Sequence, residues 1–224
     1  MNNKLKKYSM EFLTIVLGIS VSFWVENYRQ ERMLIKEERT VLLDLKDEIE
    51  SNVDYVKYQL NRIETDLNKI TDYLDNYENY SKDDFFENKL LGTTGWIPWT
   101  PSTHIYESLK NSGRIELINN KSIKNKLGYL FSFEVERTTG WAAISREDMN
   151  NFKFRLEQTY YSNYALNHNY YNSEKAHNLM YKDQWTANWL YGKKNVLRNQ
   201  KLASNDFDRI QKEILTLINK ELNV

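Results

Sequence analysis

Two histidine and carboxylate pairs stand at helical spacing, His104 with Glu107 and Glu174 with His177. Residues three apart share a helix face and can reach one metal ion, as in carboxylate-bridged bundles. Such centres need more ligands than one pair supplies, and neither pair has a duplicate in matching context. His168 has no evident partner. The chain contains no cysteine, which excludes disulfides, thiolate metal sites and cysteine nucleophiles. It also lacks a glycine-rich phosphate loop, a G-x-S-x-G turn and an H-E-x-x-H stretch. The expectation is a protein without catalytic residues, metal or cofactor, and not an enzyme.

One further group could do chemistry because of where it lies. Glu11 precedes the uncharged apolar run Phe12 to Val25, and Glu11, Thr14, Gly18 and Ser22 fall on one helix face. A carboxylate within a membrane helix is a relay for ions or protons, or an interfacial group that snorkels to water. Small residues at this spacing let membrane helices approach closely.

That carboxylate matters only if the run spans a bilayer. Fourteen residues are short for the roughly 20 a bilayer core requires, but from Tyr8 to Tyr28 the helix is long enough. Tyr8, Trp24 and Tyr28 then lie at the interfaces, and Lys6, Lys7 and Arg29 snorkel outward. A cleaved signal peptide is the first alternative, with Lys4, Lys6 and Lys7 as its basic region and Ser20-Val21-Ser22 at cleavage spacing. A buried core helix is the second. Glu11 and the uninterrupted helical pattern past Arg29 oppose the former; the flanking lysines oppose the latter.

The remaining composition reads as helical. Seven glycines and two prolines in 224 residues leave little material for turns between strands. The expected class is all-α, an N-terminal transmembrane helix continuing into a long helix that packs in a bundle. The expected divisions are a basic tail over 1–7, the transmembrane helix over 8–28, a charged neck over 29–48 and the bundle over 49–224. Net charge is zero, so no global field attracts nucleic acid, and none is expected as a partner. Lys4, Lys6 and Lys7 before the span nearly balance Arg29, Arg32, Lys36 and Arg39 after it. Because short tails translocate poorly, the expected orientation has the N-terminus in the cytoplasm and the body outside.

After the span a heptad rhythm appears. The d positions are Tyr28, Ile35, Leu42, Ile49, Val56, Ile63 and Ile70, and the a positions are Val53, Leu60, Leu67 and Leu74. One helix is expected to reach about Asn76. In the neck the a positions are Arg32, Arg39 and Lys46, interleaved with Glu31, Glu37, Glu38, Asp44, Asp47 and Glu48, which reads as a solvated helix with i,i+4 pairs. The seam from Ile49 to Leu74 faces either other helices of its own chain or a second chain. Intramolecular partners are available in Ile123, Leu127 and Leu130; in Phe152, Leu156 and Tyr160; and in Phe207, Ile210, Ile214, Leu217 and Leu222. Tyr161, Tyr164, Tyr171, Met180, Trp185 and Trp189 read as the amphipathic shell of further helices.

Between these helices lies the segment Thr94 to Asn120. Thr100 as N-cap, Pro101 at the first helical position and Gly113 at C′ predict a helix over 101–112, with Asn119 or Asn120 capping the next. Trp96, Ile97 and Trp99 should close the bundle, so Trp96, Trp99, Pro101 and Gly113 are expected to form a structural cap. Two patterns carry a resemblance. The first is Glu11, Gly18, Trp24 and Asn27; the second is Pro101, Tyr106, Glu107, Leu109, Lys110, Ser112 and Gly113, followed by Ile115, Leu117 and Ile118. In these the first half of the chain resembles the bacterial membrane proteins grouped as domain of unknown function 6090. The resemblance implies a single-pass, helix-rich protein of the bacterial inner membrane and brings no activity with it. The expected function is a membrane-anchored scaffold or adaptor, self-associating or bound to a membrane protein partner, with the lipid bilayer as its other contact. A channel or motor-type subunit using Glu11 is the alternative.

Overall fold

The computed structural model describes residues 2–223 except 89, 91, 92, 94, 165–177 and 179, with side chains described for 7–155, 178 and 180–223. Glu174, His177, His168 and Tyr171 lie outside the described residues, as do the side chains of Leu156, Tyr160, Tyr161 and Tyr164. Among the described residues there are helices and no strand. Helix α1 (Asn2–Asp75) is 74 residues, about 110 Å at the α-helical rise. Both prolines come after it, and Gly18 is its only glycine, so nothing in its sequence breaks it.

From Lys7 to Thr40 nearly every residue of α1 is exposed, and burial begins at Val41 and Leu42. The cover comes mainly from α6 (Gln184–Leu222), which returns antiparallel to α1. At the lower end Arg39 Nη1 donates to the Leu222 carbonyl at 3.3 Å. Lys201 pairs with Glu64 midway, and Lys194 stands 3.7 Å from Asp75 at the upper end. The seam of Ile49 to Leu74 therefore packs within its own chain.

The seam is rotated from the expected one. The d positions Leu42, Ile49, Val56, Ile63 and Ile70 are buried; of the a positions Leu67 is buried too, but Val53, Leu60 and Leu74 are only half-buried. Leu45, Asn52, Gln59 and Tyr73, all g positions, are buried instead. Two of these are amides, so a pattern drawn from apolar residues alone points about 50° away around the helix. On α6, Thr186, Leu190, Lys193, Leu197, Gln200, Ser204, Phe207, Gln211, Ile214 and Ile218 are all buried and alternate by four and three. That repeat also emerges only when the polar residues are counted.

Helix α3 (His104–Asn111), a 3-10 turn at Arg114–Leu117 and α4 (Lys121–Tyr129) complete the lower core. Asn120 caps α4, accepting from the Ser122 and Ile123 N–H groups at 3.0 and 3.3 Å. A π turn at Leu130–Glu134 joins α4 to α5 (Val135–Tyr164) without a break, and it turns Leu130, Phe131 and Glu134 inward together. Glu134 pairs with Arg137 at 2.8 Å, and the same guanidinium reaches Asp206 of α6 at 2.8 Å. The upper core gathers Ile63, Ile70, Tyr73, Phe85 of α2 (Lys82–Glu87), Phe152 and Leu197.

The rotated seam yields a discriminating prediction. Ile63→Asp places an unpaired charge in a dry core and should cost about 4 kcal/mol, while Leu60→Asp at the half-buried edge should cost about 1–2 kcal/mol. Denaturant melts of the two variants in detergent check it; equal losses would restore the a/d seam.

Candidate functional site

The sequence-predicted membrane stripe stands free. Glu11, Thr14, Gly18 and Ser22 occupy about 80° of the helix circumference at 100° per residue. Thr14 Oγ1 donates to the Met10 carbonyl and Ser22 Oγ to the Gly18 carbonyl, both at 2.9 Å. Both hydroxyls are thus satisfied inside the helix, as an apolar solvent requires. A Cβ built on Gly18 meets nothing within 4 Å, so the glycine leaves an open notch. Leu13, Val16, Leu17, Val21, Phe23 and Val25 are also exposed, so this helix segment is uncovered all round.

The N-terminus of α3 is capped by a residue other than the expected one. Helix α3 begins at His104, not at Pro101, and Thr103 makes no side-chain cap. The backbone before it is hydrogen-bonded to α1. Asn52 Nδ2 donates to the Ser102 carbonyl at 2.8 Å and its Oδ1 accepts from the Ser102 N–H at 2.7 Å, while the Tyr55 hydroxyl accepts from the Thr100 N–H at 2.9 Å. Glu48 then does what an N-cap residue does. Its carboxylate accepts from the Ile105 N–H at 2.9 Å, the Tyr106 N–H at 3.0 Å and the Ser102 hydroxyl at 2.7 Å. A carboxylate at a helix N-terminus also complements the helix dipole. Glu48 is buried, so it does not belong to a solvated neck. Glu38 likewise accepts from Asn119, at 2.7 Å from the N–H and 2.8 Å from the side-chain amide. Lys46, 3.8 Å from Glu50, does make an i,i+4 pair.

The other end of α3 follows the sequence. Gly113 takes φ 72° and ψ 0°, the left-handed C′ conformation. Trp99 is buried edge-on to Tyr55 and Phe207, with ring centres 5.8 and 5.3 Å away. Trp96 is half-buried, with the Arg146 guanidinium 5.8 Å from its ring centre. A groove of about 440 Å³ opens between these tryptophans and Ala142, Arg146 and Asn150 of α5. His104 is exposed at the first position of α3, with Glu107 half-buried behind it. Among the described residues no three histidines or carboxylates gather closely enough to hold a metal.

A polar cluster in the upper core went unseen in the sequence. Lys193 of α6 is fully buried, and its Nζ donates to Ser145 Oγ at 2.9 Å and lies 3.9 Å from Asp148 Oδ2. Burial pushes the ammonium down to about 8, against the opposing pull of Asp148 and Asp66. Burial also raises both of those carboxyls, and Lys193 moderates the rise. A serine beside a neutralisable lysine is the arrangement of a base and a nucleophile. Here both side chains are sealed from solvent, and the pair ties α6 to α5.

Two outcomes follow. Glu48→Ala should cost about 3 kcal/mol and speed hydrogen exchange at Ile105 and Tyr106, because it orphans two helix donors and a hydroxyl. Unchanged exchange there would remove Glu48 from its capping role. Between pH 8 and the ordinary lysine value the unfolded chain holds a proton that the folded chain lacks at Lys193, so stability should rise with pH across that window. The rise should reach about 2 kcal/mol before tyrosine ionisation intervenes near pH 10, and Lys193→Met should abolish it in pH-dependent denaturant melts. Searches against family models, curated proteins and solved structures return no match to this chain.

Proposed function

We propose that this chain is a membrane-anchored helical scaffold or adaptor that acts through protein–protein contact and self-associates through its membrane helix. The observation that carries the reading is a helix of membrane-spanning length and hydropathy with no protein cover, continuous with a packed bundle. An apolar surface of this extent is stable in lipid and a liability in water. The anchor places the bundle at the membrane surface, outside the cytoplasm in the favoured orientation of a bacterial inner-membrane protein. The internally satisfied hydroxyls of Thr14 and Ser22 and the notch at Gly18 suit close helix packing. The reading is of a non-enzyme because the sequence carries none of the catalytic motifs named above.

The second reading, a channel or motor-type subunit, rests on Glu11. It lies about 5 Å along the helix from Tyr8, shallow enough for its carboxylate to snorkel, which favours a packing role over a relay.

Full-length protein should stay in membranes through alkaline carbonate, and release would refute the anchor. Gly18→Ile should weaken self-association in bilayers about tenfold, measured by energy transfer between labelled copies. Glu11→Gln should leave assembly intact. Normal assembly with loss of a measured ion flux in Glu11→Gln would instead establish the channel.

A further inference from the structure

We infer that the lower end of the bundle is a docking surface for anionic lipid headgroups, held over the bilayer by the neck of α1. The inference rests on the anchored reading above and adds a second, electrostatic contact to it.

The contacts along α1 fix which part of the bundle faces the membrane. Asn119 is bound at Glu38 and Leu222 at Arg39, whereas Ser102 and the start of α3 are bound higher, at Glu48 and Asn52. The chain therefore descends along α3 and turns through Gly113 and Arg114 to Asn119 at the level of Glu38. Glu38 lies ten residues beyond Tyr28, about 15 Å at the helical rise. The headgroup zone occupies about 5–8 Å of that height on each side of the bilayer. The remaining gap is close to one Debye length, about 8 Å at physiological salt. Membrane helices tilt by about 20° on average, and a tilt toward the bundle would lower a surface ~10 Å off the axis by ~3 Å more.

The charges at this end are unevenly committed. Three acidic groups there have a protein donor: Glu38 holds Asn119, Glu116 pairs with Lys124 at 3.0 Å, and Glu221 accepts from Asn120 at 3.0 Å; Glu37, exposed beside Glu38, is one uncommitted carboxylate against the cations that follow. Arg114, Lys121 and Lys220 are exposed and have no carboxylate within 4 Å among the described residues. Lys121 and its neighbours also begin α4, whose N-terminal dipole adds positive potential. Three uncommitted cations on a tethered surface, one Debye length from the lipid, suit an anionic leaflet.

The absence of cysteine allows a single label, placed at exposed Asn111 through Asn111→Cys in the full-length chain. Reconstitution into phosphatidylcholine vesicles, with and without phosphatidylglycerol, and quenching by headgroup-labelled lipid report how near this end lies to the surface. Anionic lipid should raise quenching about twofold, and 1 M salt or the triple change Arg114→Glu, Lys121→Glu, Lys220→Glu should cancel the rise. Equal quenching in both vesicle types, from protein that floats with them, would overturn the docking surface and leave the anchor standing. Failure to float would refute the anchor itself. An unchanged melting curve for the triple variant confirms that the lost response is not unfolding; if it melts lower, the Lys121→Gln, Lys220→Gln double variant should lose the salt-sensitive part alone.

Discussion

Everything in the bundle depends on α6 lying antiparallel along α1 from Val41 to Asp75. A single helix of about 110 Å exposes an apolar stripe that cannot be solvated cheaply, and a helix of nearly half that length is needed to cover its upper part. α6 supplies it, and Arg39, Glu64 and Asp75 mark the alignment against Leu222, Lys201 and Lys194. Once α1 and α6 are paired, the chain between them must fit into the grooves that remain. α5 fills one, and α3 with its leading strap fills another.

The core that results contains more polar side chains than an apolar stripe would suggest. Asn52 and Glu48 are buried because they replace water for the backbone of Ser102, Ile105 and Tyr106. Gln200 plays the same part for Ile97, donating to its carbonyl at 3.1 Å. Such bonds contribute modestly to net stability, but leaving the backbone groups unpaired is costly, so they fix the strap in one register. Lys193 differs, since burying its charge opposes folding while Ser145 and Asp148 offset only part of the penalty.

Below Val41 the physical situation reverses. Below Glu38 the side chains of α1 have no protein layer to enter, yet the helix continues unbroken through the apolar run. Intrahelical hydrogen bonds satisfy the backbone and the hydroxyls of Thr14, Ser20 and Ser22, which is the condition for a helix surrounded by lipid.

The sequence by itself determined the long first helix to within a residue of its end, the all-helical class, the left-handed Gly113 and an asparagine cap at 119 or 120, which the structure assigns to Asn120. Each of these follows from local chemistry: propensity, the absence of breakers, a missing Cβ, a side chain within reach of its own backbone. It also located the uncovered apolar run, because an unbroken absence of charge is visible without a fold. Only the tertiary structure decided which face of α1 is the seam, that Glu48 and not Thr100 caps α3, and that Lys193 lies in the core. The Glu48 cap and the Lys193 site turn on partners 58 and 48 residues away along the chain, and the α1 seam on α6, 137 residues away at Glu64 and Lys201. A buried amide or ammonium looks like a surface residue until the groups that satisfy it are brought alongside.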